Sequence, residues 1–519
     1  MAGSSGRDEP YAVAEKSLDA LQADMAAGTV DAAGLVAAYL ARIAAIDRSG
    51  PTLRSVIALN PRALDDARRL DGERRVGQVR GPLHGIPVLV KDNIDTDDGT
   101  ATTAGSLALS GNVTLRDAPV GARLKAAGAV ILGKTNLSEW ANIRSTRSVS
   151  GWSGVGGLVK NPYVLDRSAC GSSSGAGSAI AACLAAVGVG TETDGSVTAP
   201  SSVAGLVGLK PTVGLVSRTH VIPISHSQDT PGPMARSVRD AAILLTAMAG
   251  ADPADPATAQ ADTHVCDYAA GLESASLKGR RLGILGFAVS LSPTVDAVFA
   301  EAVALLKAHG AEVVELADFK PAAELGANER AVLLSELKTD LNAYLATTPA
   351  AVKTRTLAEL IEFNAASARE LVLFGQEFFE QAQATKGPTD EAYLKARADS
   401  MRQAGAEGID ALIAAHRLDA LIAPSYGPAS RFDFAAGDHI AGRSSQLPAV
   451  SGHPHLTVPM GQVRGLPVGL SFIGPAWSEA LLLGLGHAYE QAAQARRPPT
   501  YIPSLETTPE ADKATAPNP

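Results

Sequence analysis

The sequence predicts an α/β protein in which a β-sheet lies between layers of helices, and three observations support this prediction. Short apolar runs, such as IPVLV at 86–90 and AVIL at 129–132, alternate with glycine-rich turns and alanine-rich helical stretches, as in sheets covered on both faces. The 519 residues include 50 glycines and 31 prolines, which favours a loop-rich α/β protein over a helical bundle. Hydrophobic residues make up 46% of the chain, enough to bury a large core.

The N-terminal region, 1–80, is predicted to be helical and to pack on the sheet. Thr29 and Asp31 are candidate caps between two helices, whose apolar residues recur at helical spacing. These apolar residues are Leu18, Leu21, Met25, Leu35, Tyr39, Ile43 and Ile46. The main part of the sheet, with the loops that carry chemistry, is expected over 81–316.

A change of composition predicts a helical insertion at 317–415. The block is poor in glycine and periodic, as in ERAVLLSELKTDLNAYL, which is typical of amphipathic helices. We expect this insertion to cap the core and to form the substrate pocket. Its aromatic side chains either line that pocket or belong to the core; they are Tyr344, Phe363, Phe374, Phe378 and Phe379.

The C-terminal region, 416–503, is predicted to complete the same sheet, so the chain is expected to form one domain. Apolar strands return in this region, at 418–424, 455–460 and 468–474. The polar tail that follows, 504–519, is predicted to be disordered because it has too little apolar surface to bury.

Charge and cysteine content exclude several classes of protein. The formal net charge is −9 and lysines and arginines form no run, so no nucleic-acid partner is expected. The cysteines Cys170, Cys183 and Cys266 cannot form a framework of disulfides. Apolar stretches are too short to span a bilayer, and MAGSSGRDEP is not a secretory signal. We therefore expect no membrane association and a cytoplasmic location, although a form trimmed of a leader would look the same.

No metal and no cofactor are expected. The chain has no HExxH motif and no cluster of cysteine and histidine ligands, and His453-Pro-His455 favours a turn. The segment GAVILGKT at 128–135 matches the phosphate-binding loop by letter, but its Ala-Val-Ile-Leu is strand material. The segment GSSSG at 171–175 matches a nucleophile elbow with Ser173, yet no histidine lies in a telling context.

Three other segments contain residues suited to hydrolytic chemistry. Lys91 ends the strand-like run IPVLVK, where loops form active sites, although an exposed lysine closing a strand gives the same pattern. The tract CGSSSGAGSAIAA at 170–182 is either a flexible linker or a turn that leads into a helix. Successive N–H groups in TETDGS, 191–196, can form a nest that binds an anion, as an acyl-transfer oxyanion requires.

Together these segments resemble the amidase signature family. The resemblance runs in order through RGPLHGIPVLVKDN, GAVILGKTNLSEWA, the Ser/Gly tract, TETDGS, GLKPTVGLVS and SQDTPGPMARSVRDAA to GHPHLTVPMG and GLPVGLSFIG. It implies a large mixed, twisted β-sheet flanked by helices on both sides, with a helical insertion. Within the family, GWSGVGGLVKNPY, CGSSSG and TETDGS look most like the bacterial peptide amidases, which remove C-terminal carboxamides from peptides.

The resemblance also implies a catalytic triad and an oxyanion site. The family's lysine, its serine preceded by a cis peptide bond and its nucleophilic serine map onto Lys91, Ser172 and Ser196. The oxyanion or substrate would be bound by the turn Thr193, Asp194 and Gly195, with Ser173 as a neighbour that could hydrogen-bond Lys91.

The chain departs from the commonest family pattern at three positions. Cys170, Ser174 and Asp194 stand where glycines are usual, so the role of Asp194 stays open. It either points away from the oxyanion or binds an N–H group of the substrate. Among other family positions, Asp229 and Arg236 are expected to form or support a charge pair near the site. Lys134 and Lys210 are expected to be structural.

The function implied is hydrolysis of carboxylic amides, in particular C-terminal peptide amides or small amides, through an acyl-enzyme. A carbamate, aryl-amide or ester substrate would use the same route. A second alternative is the amidase component of a glutamine-dependent amidotransferase, although such components usually carry Gly-Gly-Ser where this chain has Asp194-Gly195-Ser196. A catalytically inactive binding module is disfavoured by the intact triad. The expected partner is a peptide or small-molecule amide, and the expected state is a monomer or homodimer.

Overall fold

Eleven strands form one mixed sheet in the computed structural model, which describes residues 11–439, 441–442 and 444–507. The strands, with a separate two-stranded ribbon β4–β5, are β1 Val56–Leu59, β2 Pro87–Lys91, β3 Val130–Thr135, β4 Trp152–Ser153, β5 Gly157–Leu158, β6 Val187–Glu192, β7 Val207–Lys210, β8 Thr230–Ala235, β9 Arg281–Leu285, β10 Glu312–Leu316, β11 Ala420–Pro424, β12 His455–Val463 and β13 Leu466–Ile473. The order in the large sheet is β1-β3-β2-β6-β8-β7-β12-β13-β11-β9-β10.

Parallel and antiparallel pairs alternate in blocks across this sheet. β2 runs parallel to both β3 and β6, while β6, β8, β7, β12, β13 and β11 are joined by antiparallel pairs. At the far edge β9 is parallel to β11 and to β10. Every residue of β2, β3 and β6 is buried, as expected for strands covered on both faces. The apolar runs therefore form strands of one mixed sheet, as predicted.

Helices flank the sheet. They are α1 Leu18–Ala26, α2 Ala32–Arg42, α3 Ala63–Arg75, α4 Pro119–Ala126, α5 Ser174–Ala181, α6 Thr198–Val203, α7 Val238–Met248, α8 Pro293–Ala308, α9 Leu325–Ala346, α10 Leu357–Ala366, α11 Glu377–Ala384, α12 Glu391–Met401, α13 Asp410–His416, α14 Gln446–Ser451 and α15 Glu479–Ala493. π-Helical turns extend α2 and join α12 to α13. No helix within the described ranges has both the length and the apolar character to cross a bilayer.

The first two helices show one correct and one wrong cap prediction. Asp31 is the N-cap of α2, and its side chain accepts a hydrogen bond from Gly34 N at 2.7 Å. Thr29 does not cap either helix; Ser17 caps α1 instead, accepting from Ala20 N at 3.2 Å. Since Thr29 lies two residues before the N-cap of α2, its side chain is outside the first turn, where the free N–H groups are.

The block 317–415 contains five helices, α9 to α13. Its aromatic side chains serve mainly as core: Phe379 packs edge-on against Trp140 with ring centroids 5.8 Å apart, and Phe374 packs against Trp152 at 5.3 Å. Tyr344 is also buried, and its hydroxyl donates to Asp95 at 2.7 Å. The division of the chain into regions at 80, 316, 415 and 503 stays a prediction.

The beginning of the predicted tail is ordered against the core. Residues Leu505–Thr507 form a short 3-10 helix, and the carboxylate of Glu506 lies 3.0 Å from the Arg167 guanidinium. The prediction therefore placed the start of the disordered tail too early, at 504. The remainder of that tail, 508–519, lies outside the described residues.

A buried charge cluster holds the loop at 139–145 against the insertion. Arg144, Glu139 and Glu370 have fully buried side chains; the Arg144 guanidinium binds Glu139 and lies 3.4 Å from Glu370. We expect Arg144→Met to lower the free energy of unfolding by about 3 kcal/mol, because it leaves two buried carboxyls without a cation. Urea unfolding measures this change.

The loss of free energy of unfolding in Arg144→Met should also depend on pH. Burial, together with Glu370, already holds the pKa of Glu139 well above its usual range, and removing Arg144 raises it further. A raised carboxyl pKa favours the folded state at low pH, so the loss should be larger near about pH 8 than near about pH 5. Arg147→Met, in the same loop but exposed, is the control and should stay within about 0.5 kcal/mol of the wild type. Equal losses in the two variants would contradict the prediction.

Candidate active site

Lys91 lies at the end of a buried strand in the middle of the parallel part of the sheet. Its side chain is completely buried, so the interpretation as an exposed strand-closing lysine is wrong. The Lys91 side-chain nitrogen lies 2.8 Å from Ser172 Oγ, 2.9 Å from Thr191 Oγ1 and 3.2 Å from Thr191 O. Two of these three partners are hydroxyls, which can donate to an uncharged amine as well as accept from a charged one.

Burial allows Lys91 to be uncharged near neutral pH. It lowers the pKa of Lys91 to about 7, against the opposing effect of the acidic groups Asp229 and Glu192. Desolvation disfavours the charged form of a lysine because the ammonium loses its hydration. A group with a pKa near 7 can both take up and release a proton at neutral pH, which general acid–base catalysis requires.

The Ser/Gly tract forms an ordered turn that leads into α5, so the interpretation as a flexible linker is wrong. The peptide bond between Gly171 and Ser172 is cis, and Ser172 is fully buried with its carbonyl accepting from Ser138 N at 3.0 Å. A Cβ at Gly175 would lie 2.3 Å from Asn136 O, so only glycine lets the helix approach that backbone.

Ser173 faces the sheet backbone. Its hydroxyl donates to Thr191 O at 3.1 Å and accepts from Thr191 N at 3.2 Å, while its N–H donates to Ser196 O at 3.1 Å. Ser173 Oγ makes no hydrogen bond with Lys91 among the described residues, and it does not border the cavity beside Ser196. Its position suits a residue that fixes the Ser/Gly tract to the loop that carries Ser196.

Ser196 borders a cavity of about 400 Å³ that also exposes the predicted oxyanion turn. The lining includes residues 141–143, Gly171, Thr193, Asp194, Gly195, Ser196, Ile224, Leu333, Tyr426 and Ser445. Ser196 is 8% exposed. Its Oγ makes no hydrogen bond to Ser172 Oγ within the described part of the chain, so this structure joins Lys91 to Ser172 but leaves Ser196 free to rotate.

The turn before Ser196 has a glycine in the left-handed region and three successive N–H groups that point to no protein acceptor among the described residues. Gly195 has φ of +79°, and a Cβ there would lie 2.1 Å from the Tyr426 hydroxyl. The N–H groups of Thr193, Asp194 and Gly195 have no acceptor among the described residues. The Glu192 carboxylate instead accepts from the N–H groups of Val197 and Thr198, at 2.7 and 2.9 Å, which anchors the start of α6.

Comparison with known proteins decides the family. A family model described as amidase matches residues 34–483. The chain belongs to the amidase family.

Relatives of this amidase span most of its length. A putative amidase of Arthroderma benhamiae is 38% identical over 507 residues, covering 92% of this chain and 81% of the relative. A glutamyl-tRNA(Gln) amidotransferase subunit of Moorella thermoacetica is 34% identical over 489 residues, covering 89% and 93%. The native peptide amidase from Stenotrophomonas maltophilia, known from an X-ray structure, is 52% identical, with a TM-score of 0.90 over 95% of this chain and 100% of that one. The predicted family and fold are confirmed, and the protein is an amide-hydrolysing enzyme.

A second carboxyl lies beside the turn that precedes Ser196 in this amidase. The Asp194 carboxyl lies close enough to the Glu329 carboxyl of α9 for each to shift the pKa of the other. Glu329 is buried and accepts from Gln228 Nε2 at 3.0 Å and from Gln446 Nε2 at 2.9 Å. Burial, together with the charge of Glu329, holds the pKa of Asp194 well above its usual range. The Asp194 carboxyl is therefore turned toward the insertion.

Asp229 supports the same turn without pairing with Arg236. Its carboxylate accepts from Thr193 Oγ1 at 2.6 Å and from the N–H of Ile224 at 2.7 Å, and burial raises its pKa to about 6. Arg236 donates to backbone carbonyls, among them Ala185 O at 3.1 Å. The predicted Asp229–Arg236 charge pair is wrong, because the Arg236 guanidinium donates to carbonyls of other segments instead.

The two other buried lysines contact backbone and a threonine. Lys134 Nζ donates to Ile94 O at 2.6 Å and Thr102 Oγ1 at 2.9 Å, and Lys210 Nζ to Pro211 O at 3.1 Å. Neither borders the cavity next to Ser196, which agrees with structural roles.

Sequence reasoning missed four residues that shape the site: Thr191, Glu192, Gln228 and Glu329. Thr191 could have been found, because β6 lies beside β2 and Val90 pairs with Val189, which brings the next residues of β6 close to Lys91. No signal identifies Glu329, which is one of many charged residues in a periodic helical block.

Proposed function

We propose that the chain is a serine amidase that hydrolyses the C-terminal carboxamide of peptides, or related small amides, to the carboxylic acid and ammonia. Ser196 is the nucleophile, Ser172 the relay and Lys91 the base. The observation that carries the proposal is the buried 2.8 Å contact between Lys91 Nζ and Ser172 Oγ; Ser172 is next in the chain to Gly171, which lines the cavity that Ser196 borders.

The first half of the reaction forms an acyl-enzyme. Ser196 Oγ attacks the amide carbonyl while its proton passes to Ser172 Oγ, and the Ser172 proton passes to the uncharged Lys91 amine. The N–H groups of Thr193, Asp194 and Gly195 stabilise the negative charge that develops on the carbonyl oxygen. The tetrahedral intermediate then collapses, and the relay returns a proton to the departing nitrogen, so that ammonia leaves.

The second half releases the acid by the same relay. Water attacks the ester carbonyl of the acyl-enzyme and gives its proton to the relay, which returns a proton to Ser196 Oγ. A rotation of the Ser196 side chain must bring its hydroxyl to Ser172, because the two are not bonded in the free enzyme. Catalytic hydrogen bonds often close only when substrate is bound.

Two observations support a peptide-like substrate. The peptide amidase of known structure is 52% identical to this chain. A second cavity of about 680 Å³ borders Asp194, Gly442 and Ser445, which also line the nucleophile cavity, and extends to Phe287 and Lys320. Such a combined space suits an acyl group larger than a single small acid.

The amidase component of an amidotransferase is the second candidate, since a relative of that kind is 34% identical to this chain. Asp194 in place of glycine beside the nucleophile favours the peptide amidase. Carbamates, aryl amides and esters could enter the same acyl-enzyme route. A cytoplasmic location and a monomeric or homodimeric state belong to this proposal.

Ammonia release across a substrate panel tests the proposed function. We expect kcat/KM for N-acetylated dipeptide amides to exceed that for free glutamine by about 100-fold or more, because glutamine leaves the second cavity empty. Aryl amides and carbamates of similar size complete the panel, and Ser196→Ala gives the background. Turnover of glutamine alone, and only with a partner protein present, would show an amidotransferase component instead.

A further inference from the structure

Asp194 presents two chemically different oxygens. Its Oδ1 is buried and has no conventional donor among the described residues. Asp194 is partly exposed although its Oδ1 is buried, so Oδ2 is the oxygen left accessible. Asp194 borders both the cavity beside Ser196 and the second cavity of about 680 Å³, which is called the outer cavity below.

The Asp194 carboxyl requires a proton because its neighbour is the Glu329 carboxyl. Two ionised carboxylates are both acceptors and repel each other, and the Asp194 and Glu329 carboxyls are close enough to influence each other's pKa. Glu329 already accepts from the amides of Gln228 and Gln446, which favours its ionised form. The proton therefore resides on Asp194, and Asp194 donates it to Glu329.

The other charged groups near the pair are consistent with this assignment. Glu192 adds negative charge and raises the pKa of Asp194. Burial raises the pKa of Glu329 as well, but the amides of Gln446 and Gln228 and the charge of Arg330 oppose that rise. Lys210, at the end of β7, interacts with both Asp194 and Glu192. A protonated Asp194 also adds no negative charge where the oxyanion forms.

The Ser445 hydroxyl is the polar neighbour of Asp194 on the side of the two cavities. It accepts a hydrogen bond from the Tyr426 hydroxyl at 2.7 Å, so its own proton is free to point toward Asp194, and it lowers the pKa of that carboxyl. Because a carboxyl oxygen has two lone pairs, this contact leaves Asp194 able to accept a second hydrogen bond from a molecule in the cavity.

We propose that Asp194 Oδ2 accepts a hydrogen bond from the backbone N–H of the substrate residue that bears the scissile carboxamide. This inference rests on the proposed function and adds the group by which the site selects N-acylated α-amino amides. The N–H of that residue is two bonds from the attacked carbonyl carbon. Asp194 lies where the acyl chain must pass from the Ser196 cavity to the outer cavity, next to the N–H groups that would bind the oxyanion.

A pair of isosteric substrates tests the contact directly. N-acetyl-alaninamide has the N–H, whereas O-acetyl-lactamide has an ester oxygen in its place, and both carry the same carboxamide. We expect wild-type kcat/KM for ammonia release to be at least about tenfold higher with N-acetyl-alaninamide, because a site built to bind an N–H discriminates against an analogue that lacks it.

Three variants separate the contact from a structural role. Asp194→Asn should keep the preference, because the amide donates to Glu329 and turns its carbonyl to the cavity, as the protonated acid does. Asp194→Ala should bring the ratio of kcat/KM for N-acetyl-alaninamide to kcat/KM for O-acetyl-lactamide near one. Glu329→Gln should slow both substrates alike, because Asp194 then ionises beside the oxyanion but keeps an acceptor toward the N–H.

The outcomes distinguish failure of this proposal from failure of the proposed function. Equal wild-type rates with the two substrates, or loss of the preference in Asp194→Asn, would overturn the Asp194 contact while amidase activity stands. Absence of ammonia release from any peptide amide by the wild type would overturn the proposed function itself. The wild-type comparison needs no variant to fold, so the proposal is tested even if Asp194→Ala is unstable.

Discussion

Ser196→Ala is expected to lower kcat for ammonia release from peptide amides by about 10,000-fold or more. Without the hydroxyl no acyl-enzyme can form, and the oxyanion turn and substrate binding alone leave only a small residual rate. The structure should be little disturbed, since Ser196 Oγ makes no hydrogen bond to a described residue and borders a cavity. Purified variant and wild type are compared by initial rates of ammonia release at saturating substrate.

Ser173→Ala is the matched control for this experiment. Both of the hydrogen bonds of its hydroxyl go to the backbone of Thr191, so the variant should lose stability while keeping Ser196 as the nucleophile. A fluorophosphonate probe should label wild type and Ser173→Ala at Ser196 and should not label Ser196→Ala. Labelling at another serine, or substantial turnover by Ser196→Ala, would remove Ser196 from the proposed mechanism.

The sheet could be predicted from sequence because strands buried on both faces require uninterrupted runs of apolar residues. Runs such as IPVLV have no polar alternation, and such runs lie in the centre of the mixed sheet. Motif order then placed Lys91 and Ser172, and the structure brings these two within hydrogen-bonding distance. A close backbone approach at Gly175 could be predicted, but its partner, residues 135–137, meets the Ser/Gly tract only in three dimensions and could not be identified from the sequence.

The failures of sequence reasoning have a common physical cause. Arg236 and Asp229 lie close in sequence and have opposite charges, but each is satisfied by backbone groups from other segments. Glu329 reaches Asp194 from 135 positions away in the chain. Tertiary contacts of polar groups with backbone leave no periodic pattern, so a motif can locate the reacting residues but not the groups that tune them.

Lys91→Met is expected to lower kcat/KM by about 1,000-fold or more, because the relay then has no base and its members act as a unit. In the wild type, kcat/KM should fall as pH drops below about 7, since the pKa of Lys91 is lowered to about 7 and only the uncharged amine can accept a proton. This acid limb should be absent from the residual activity of Lys91→Met. A pH–rate profile of both enzymes measures the effect.

Lys210→Met is the matched control, because burial lowers the pKa of Lys210 as well, to about 8, while its Nζ hydrogen-bonds only to Pro211 O among the described residues and to no residue of the proposed relay. Its acid limb should match that of the wild type. Asp229→Asn should move the limb to lower pH, because the Asp229 charge raises the pKa of Lys91. A limb that stays in place in Asp229→Asn and persists in Lys91→Met would assign it to another group.

Stability separates a missing base from a damaged fold. Between about pH 7 and about pH 10.5 the unfolded chain binds a proton on Lys91 that the folded enzyme does not, so this lysine makes wild-type stability rise with pH in that window. Lys91→Met removes both this slope and the burial cost of an ammonium, and we expect it to be more stable than the wild type at pH 7 in urea unfolding. An inactive variant that is also more stable can only have lost the proton acceptor, whereas one that is inactive and less stable would leave the base assignment without support.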